Sequence, residues 1–386
     1  LAFLGTLCLI LGATLFAGHF SQRMGLPSVI GQLLVGVLLG PALLGWIQPT
    51  HFLNQLAEIG VIILMFMAGL ESDLGLLKRY FKPGLWVATV GVIFPLALVT
   101  VTVHYFGFSW PHALFMGVLF TATSVSISVE VLREMQQLNS KEGTTILAAA
   151  VVDDILSVLI LSFLVSYTGA EPASNHPLGS LMVQLGYFVG VYFVVKWVTP
   201  YLMRLAQQLL GSTTIMAFIL CLGMAYLADL CGLSAVIGAF FAGIAVGQTS
   251  AKKEVDREIE PLGYACFIPI FFVSIGLKMT FTGFGQVWWF TVVLTVVAIL
   301  TKLVGGGLGA HWAGFGLASD YMIGSGMISR GEMALIIAQI GFDAKLLHPD
   351  YYAATIIAIV LTTVLAPLFL RHAAGHLEKR HAKNAA

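Results

Sequence analysis

The sequence predicts an all-α polytopic membrane protein with about 13 transmembrane helices. Two observations carry that prediction. Hydrophobic residues make up 58% of the 386 residues and charged residues 10%, with a mean hydropathy of +0.93. No soluble α/β domain needs that much apolar surface. The apolar residues also gather into long runs, each able to cross a bilayer as a helix. The runs are too long and too densely apolar for barrel strands, which leaves helices to satisfy the backbone in lipid.

In chain order the predicted spans are 2–20, 28–47, 56–71, 84–106, 111–132, 143–168, 179–203, 213–231, 233–249, 262–279, 286–312, 319–341 and 351–372. The first lacks a cleavage-site pattern and reads as a true span, not a signal peptide. The chain starts at Leu1 without a methionine, so some trimming of the N-terminus is expected. The third and ninth spans are short. Between 226 and 249, Asp229 and Gly232 have to hold a tight hairpin. The fifth and twelfth spans carry polar stretches at mid-length, Thr121–Ser126 and Ile328–Glu332. Such stretches suit helices that break inside the membrane and turn backbone dipoles toward a cavity. The alternative is a continuous helix whose hydroxyls bond back to its own carbonyls.

The formal net charge of +0 hides an asymmetry. One set of alternate loops carries Arg23, Lys78, Arg79, Lys82, Arg133, Lys141, Arg204, Lys252, Lys253, Arg257, Arg371 and the basic tail, with Lys196 near the same end of its span. The opposite set carries Lys278 and Lys345. By the positive-inside rule the C-terminus is cytoplasmic and the N-terminus outside, in a cell (plasma or inner) membrane. The basic residues left over, Lys302 and Arg330, fall inside spans.

The chain also resembles itself at an offset of 207 residues. Val29-Ile30-Gly31, Gly36 and Gly40 recur as Val236-Ile237-Gly238, Gly243 and Gly247, and Gly69-Leu70 recurs as Gly276-Leu277. Seven spans separate the two starts, so the halves insert with opposite topology, a mark of secondary transporters. The expected organisation is an N-terminal helix at 1–20, a first five-helix repeat at 26–168, linking helices at 179–231, an inverted second repeat at 233–373 and a cytoplasmic tail at 374–386.

Against this apolar background the adjacent pair Asp153-Asp154 stands out, because a carboxylate deep in a span marks function. Side chains of neighbouring helical residues diverge by roughly 100°. One aspartate can therefore face a cation while the other faces a water-filled cavity. Lys302 is the matching cation, followed by the small-residue run Gly305-Gly306-Gly307-Leu308-Gly309, which lets helices approach closely. A purely structural ion pair is the bland alternative, but two acids against one lysine leave a charge over. Glu58 reads as interfacial, and Glu130 as a carboxylate able to face an access funnel. Arg330 and Glu332 are placed to neutralise helix-end dipoles at the second break. His311, His372, His376 and His381 read as solvated surface groups that can tune a pH response.

Other chemistry is absent from the sequence. No Walker loop, GxSxG or HExxH motif occurs, so no enzyme activity and no cofactor are expected. Cys8, Cys221, Cys231 and Cys266 lack metal-ligand spacing and read as packing residues. Nucleic acid is not an expected partner. An ion channel, a sodium-coupled solute symporter and an intramembrane aspartyl protease are the competing classes. The protease needs its two acids on different helices, which adjacent aspartates cannot supply.

Taken together, Val152-Asp153-Asp154, Lys302-Leu303-Val304-Gly305-Gly306 and Ser329-Arg330-Gly331-Glu332 resemble the bacterial sodium–proton antiporters of the NapA/NhaA type, in the monovalent cation:proton antiporter superfamily. The resemblance extends over nearly the whole chain, including Pro27–Gly31 and Gly69-Leu70-Glu71. It implies a homodimer in which a dimerisation domain and a mobile core interleave across the repeats. It also implies crossed discontinuous helices and an elevator-type alternating-access movement. Position by position, Asp154 resembles the family's ion-binding carboxylate and Asp153 the one paired with a lysine, here Lys302. Thr123 and Ser124 match the first helix break, and Arg330 and Glu332 the second. The implied cargo is Na⁺ or Li⁺ against H⁺, held at Asp154 and Asp153; if Na⁺ draws Asp153 away and Lys302 also loses its proton, two protons move for one sodium and exchange is electrogenic. A potassium–proton antiporter is the alternative. That branch has Gln-Asp in place of Asp-Asp and lacks the lysine.

Overall fold

The computed structural model describes residues 2–168, 177–210, 212–279, 284–343, 346–347 and 349–385. Regular structure among these residues is helical throughout. Among the described residues, nine helical stretches are long and apolar enough to cross a membrane, and four shorter apolar helices accompany them. The chain is a multi-pass membrane protein.

Helix α1 (Ala2–Arg23) turns into α2 (Ser28–Leu39) at Gly25, whose φ of +72° suits a residue without a Cβ. Thr50 caps α3 (His51–Glu71) by accepting the Leu53 amide, and Asp73 caps α4 (Leu74–Tyr105) by accepting the amides of Gly75 and Leu76. The predicted span 111–132 is two helices, α5 (Trp110–Leu119) and α6 (Val125–Glu134). α7 (Lys141–Thr168) carries the aspartate pair. α8 (Pro177–Phe193) passes through a π-helical turn into α9 (Thr199–Leu205). α10 (Thr213–Leu230) ends at Gly232, φ +70°, in the hairpin expected there, and α11 (Ala235–Gly247) follows. α12 (Lys252–Leu262) continues through another π-helical turn, Gly263–Phe267, into α13 (Ile268–Leu277). After α14 (Phe284–Trp312), the span 319–341 again divides, into α15 (Leu317–Gly326) and α16 (Glu332–Asp343). α17 (Pro349–Ala385) is one helix through the expected span and the basic tail. Lys345 lies outside the described residues.

The helices pack as two groups. In the first, α3 lies against α11 and α13, α2 against α1 and α13, and α10 against α11. In the second, α4 lies against α7 and α14, and α15 against α14 and α17. α8 and α9 run beside both. Glycine sets the spacing at the tightest crossings, since small residues are what let helices approach in lipid. A Cβ on Gly69 would sit 2.0 Å from the Phe240 carbonyl oxygen, and one on Gly243 would sit 2.0 Å from that of Phe66.

Local geometry recurs at the 207-residue offset. Gly36 meets Val273 and Gly276 meets Leu33, while the counterpart glycines Gly243 and Gly69 meet Phe66 and Phe240. Gly31 packs on the Ala17 carbonyl and Gly238 on that of Met224. Gly107 and Gly314 have φ of +92° and +91°, and their amides bond to His104 and His311. The recurrence reaches α1 and α10, which lie before the two segments expected to repeat.

Candidate ion-binding site

The site forms where the two helix interruptions meet α7 and α14. Ser124, at the start of α6, donates its backbone N–H to the Ser329 carbonyl at 2.8 Å. The Ser329 hydroxyl donates back to the Ser124 carbonyl at 2.7 Å. Residues 120–124 and 327–331 are thus stitched to each other, which satisfies backbone groups that neither helix can satisfy alone. Ser128 adds a bond from its hydroxyl to the Gly326 carbonyl at 2.5 Å. Gly331 is required here, because a Cβ on it would meet the Ser124 Oγ at 2.3 Å.

Arg330 fills the heart of this junction with no exposed surface. Its guanidinium donates to the carbonyls of Met327 and Ile328 at 3.1 and 3.0 Å, and to Ala298 of α14 at 3.2 Å. The first two are orphan acceptors just past the end of α15, the negative pole of that half-helix. The expectation that Arg330 answers a helix-end dipole therefore has a geometric counterpart. The Thr363 hydroxyl of α17 donates to the Arg330 carbonyl. Glu332 opens α16, and its side chain lies outside the described residues. Thr123 and Ser124 fall between α5 and α6, both buried.

The aspartates divide as their helical spacing requires. Asp153 points into the second helix group, where Lys302 Nζ donates to its Oδ1 at 2.8 Å and neither side chain is exposed. Gly91 of α4 faces Lys302, 3.8 Å from its Nζ by a virtual Cβ, which makes room for the ammonium. The glycine run after Lys302 works as expected. Gly305 and Gly309 seat α4, while Gly306 and Gly307 seat α15. Asp154 points the other way, to the boundary between the groups. It lines a small cavity with Val125, Leu147 and Val151 on its own side and Met65, Val236, Ile237 and Phe240 opposite. Val236 also borders a larger vestibule of about 460 Å³ between α3, α11, α13 and α16. Asn54, Glu58, Asp229, Ser274 and Lys278 line that vestibule.

Glu130 is buried near the opposite end of the group boundary, where its Oε2 accepts the Tyr264 hydroxyl at 2.7 Å. This geometry closes the boundary there. Arg133 joins the same cluster, bonding to Glu71, Glu260 and Tyr264. The sequence gives little sign of it, because Arg133 and Glu71 read as ordinary span-end charges. Thr363 and Ser128 are equally silent, single hydroxyls among many in apolar spans.

Residues 9–374 match the sodium/hydrogen exchanger transmembrane family, nearly the full chain. The chain belongs to that family. A Na⁺/H⁺ antiporter of Enterococcus hirae is 54% identical over 373 residues, covering 96% of this chain and 97% of its own. The Na⁺/H⁺–K⁺ antiporter GerN of Bacillus cereus is 44% identical over 381 residues, covering 97% and 96%. The fold is shared with the sodium proton antiporter MjNhaP1 of Methanocaldococcus jannaschii, with a TM-score of 0.71 and 97% coverage of both chains at 18% identity. In this exchanger, then, the acid–lysine pair and the stitched helix breaks sit on a scaffold of known transporter architecture.

Proposed function

We propose that the exchanger carries Na⁺ or Li⁺ against H⁺, with Asp154 as the principal site. One observation carries the reading. Asp153 is sealed in an ion pair with Lys302, while its buried neighbour Asp154 lines a small cavity at the boundary between the helix groups. A desolvated carboxylate is too costly to cross the membrane bare, so Asp154 holds a cation or a proton whenever it moves. Competition for one acid is what couples the two fluxes. When Na⁺ binds, Asp153 turns to it and releases Lys302, which sheds its proton in a dry site without a counter-ion. Two protons then leave for each sodium, and exchange is electrogenic.

The NapA/NhaA-type branch is supported by the Asp-Asp pair with its lysine. The inverted repeat is supported by the packing contacts and glycine turns recurring 207 residues apart. Its frame takes in α1 and α10 as a sixth helix of each half. The two helix groups suit an elevator movement of α4–α7 with α14–α17 against the rest. The face of α1, α8 and α10 rich in exposed Phe16, Tyr192 and Tyr226 suits lipid or a second copy of the chain. The basic residues Arg23, Arg133, Lys141 and Arg371 support the reading in which their end is cytoplasmic and the N-terminus outside.

Purified protein in liposomes, supplied with Na⁺, Li⁺ or K⁺ against an internal pH dye, tests the reading. Na⁺ and Li⁺ are expected to drive proton movement, and a clamped membrane potential to change its rate. Lys302→Gln is expected to leave exchange electroneutral or dead. Unchanged charge movement in that variant removes the lysine from the mechanism. A second reading, K⁺ as an additional cargo, is favoured by the name of the 44% identical Bacillus cereus relative. Potassium-driven proton movement at rates comparable to sodium establishes it.

A further inference from the structure

The polar cluster at the Arg133 end joins the two helix groups, apart from the Asp153–Lys302 pair. Its members come from four elements. Glu130 and Arg133 lie one turn apart on α6, the half-helix that starts at the site. Glu71 ends α3, Glu260 lies on α12, and Tyr264 sits in the π-helical turn that follows. Arg133 donates from Nε to Glu71 at 2.8 Å, from Nη1 to the Tyr264 hydroxyl at 2.8 Å and from Nη2 to Glu260 at 3.0 Å. Its guanidinium also lies 5.2 Å from the Tyr264 ring centroid. The Tyr264 hydroxyl passes the chain on by donating to Glu130. On the same turn of α6, Glu134 accepts the Ser28 amide and the Gln22 side chain at 3.1 Å each, binding the start of α2. Every one of these partners belongs to the other helix group.

We propose that Arg133, with Glu71, Glu260 and Tyr264, is a polar latch that shuts one end of the ion pathway and is released once in each transport cycle. The proposal rests on the exchanger reading above. Three features argue for a latch and against a permanent strut. The opposite end of the same boundary holds the vestibule, so the molecule is open on one side where it is tied on the other. The outer arms are partly wet, with side-chain exposures of 28% for Glu71 and 48% for Glu260. Exposed ion pairs are weak and rehydrate readily when parted, unlike the dry Lys302–Asp153 pair. Finally, any sliding of α6 against α3 and α12 must break all the Arg133 contacts together, which makes the release two-state. Release also frees Glu130 from Tyr264, leaving its carboxylate on the wall of the funnel that opens.

Thiol accessibility tests this directly. Cys8, Cys221, Cys231 and Cys266 are replaced by serine or alanine. A reporter is then placed by Ser126→Cys, fully buried one turn nearer the break on the face of Glu130. A second reporter, Ser274→Cys, lines the vestibule. Purified protein is labelled with a charged thiol reagent. Adding Arg133→Gln is expected to speed labelling at 126 and slow it at 274, each about tenfold, as loss of charge-assisted contacts shifts a two-state equilibrium. Glu260→Gln removes one half-exposed arm without burying a lone charge and is expected to give a smaller shift of the same sign. If Arg133→Gln does not fold, Glu260→Gln decides. Unchanged labelling at both reporters in the folded variants overturns the latch. Failure of the unmodified chain to exchange ions overturns the functional reading instead, and leaves the labelling result standing on its own.

Discussion

Three buried charges govern the site, and each is answered differently. Lys302 and Asp153 answer each other across 2.8 Å with no water-accessible surface. Arg330 is answered by three carbonyl oxygens, so its charge is spread over backbone dipoles and not matched to one acid. The contacts are divided between Nη1 and Nη2, a spread that the planar fork of a guanidinium provides and the single nitrogen of an ammonium does not. Arg330→Lys is accordingly expected to destabilise the protein by about 1–3 kcal/mol, the cost of stranding buried acceptors. A thermal melt followed by tryptophan fluorescence reads it, and an unshifted midpoint would show that the carbonyl contacts are dispensable. Asp154 differs from all three in facing a cavity, and that difference is the basis for giving it the cargo. The sequence already separates the two aspartates, since neighbouring helical positions cannot share a partner. It does not show which one faces Lys302. The family resemblance supplies that choice, and the 2.8 Å contact places it on Asp153.

At the scale of helices, glycine and the two breaks do most of the positioning. Close crossings leave no room for a methyl group, so Gly69→Ala and Gly243→Ala are each expected to force α3 from α11. The cost is about 1–3 kcal/mol for overpacking against backbone. Gly223→Ala, with no neighbour within 4 Å, is the matched control and is expected to be neutral or mildly stabilising. Equal melting temperatures for all three variants would contradict the packing account. These crossings were legible as repeated glycines, and the breaks as hydroxyl and charge runs inside apolar spans. Helix ends were less so. The span predicted to begin at 56 starts as a helix at His51, because Thr50 caps it, and hydropathy is blind to a cap. The continuous run of α17 through the basic tail was hidden for a related reason. A change from apolar to charged residues marks where lipid ends, not where a helix ends.

For the whole molecule, the decisive feature is the seam between the two helix groups, with Asp154 on it, the vestibule at one end and the Arg133 cluster at the other. In the proposed elevator movement, one group moves along that seam. Val151→Cys with Ile237→Cys, in a background without native cysteines, places thiols on facing walls of the Asp154 cavity. Oxidation is expected to abolish exchange and reduction to restore it; full activity of the cross-linked protein would mean that the groups do not move apart. The seam was not readable from sequence, because it depends on which helices pack together, and contacts such as Arg133–Glu71 span 62 residues. The proposed division into halves is readable, since its glycine pattern repeats at a fixed offset.

In the proposed cycle, Asp154 is the acid that metal ion and proton take in turn. Sodium-driven proton movement by Asp154→Asn in sealed liposomes tests that role, with a thermal melt confirming that the variant is folded. The expected result is a folded protein with no proton signal on a sodium pulse. Sodium-driven proton flux at the unmodified protein's rate would contradict it.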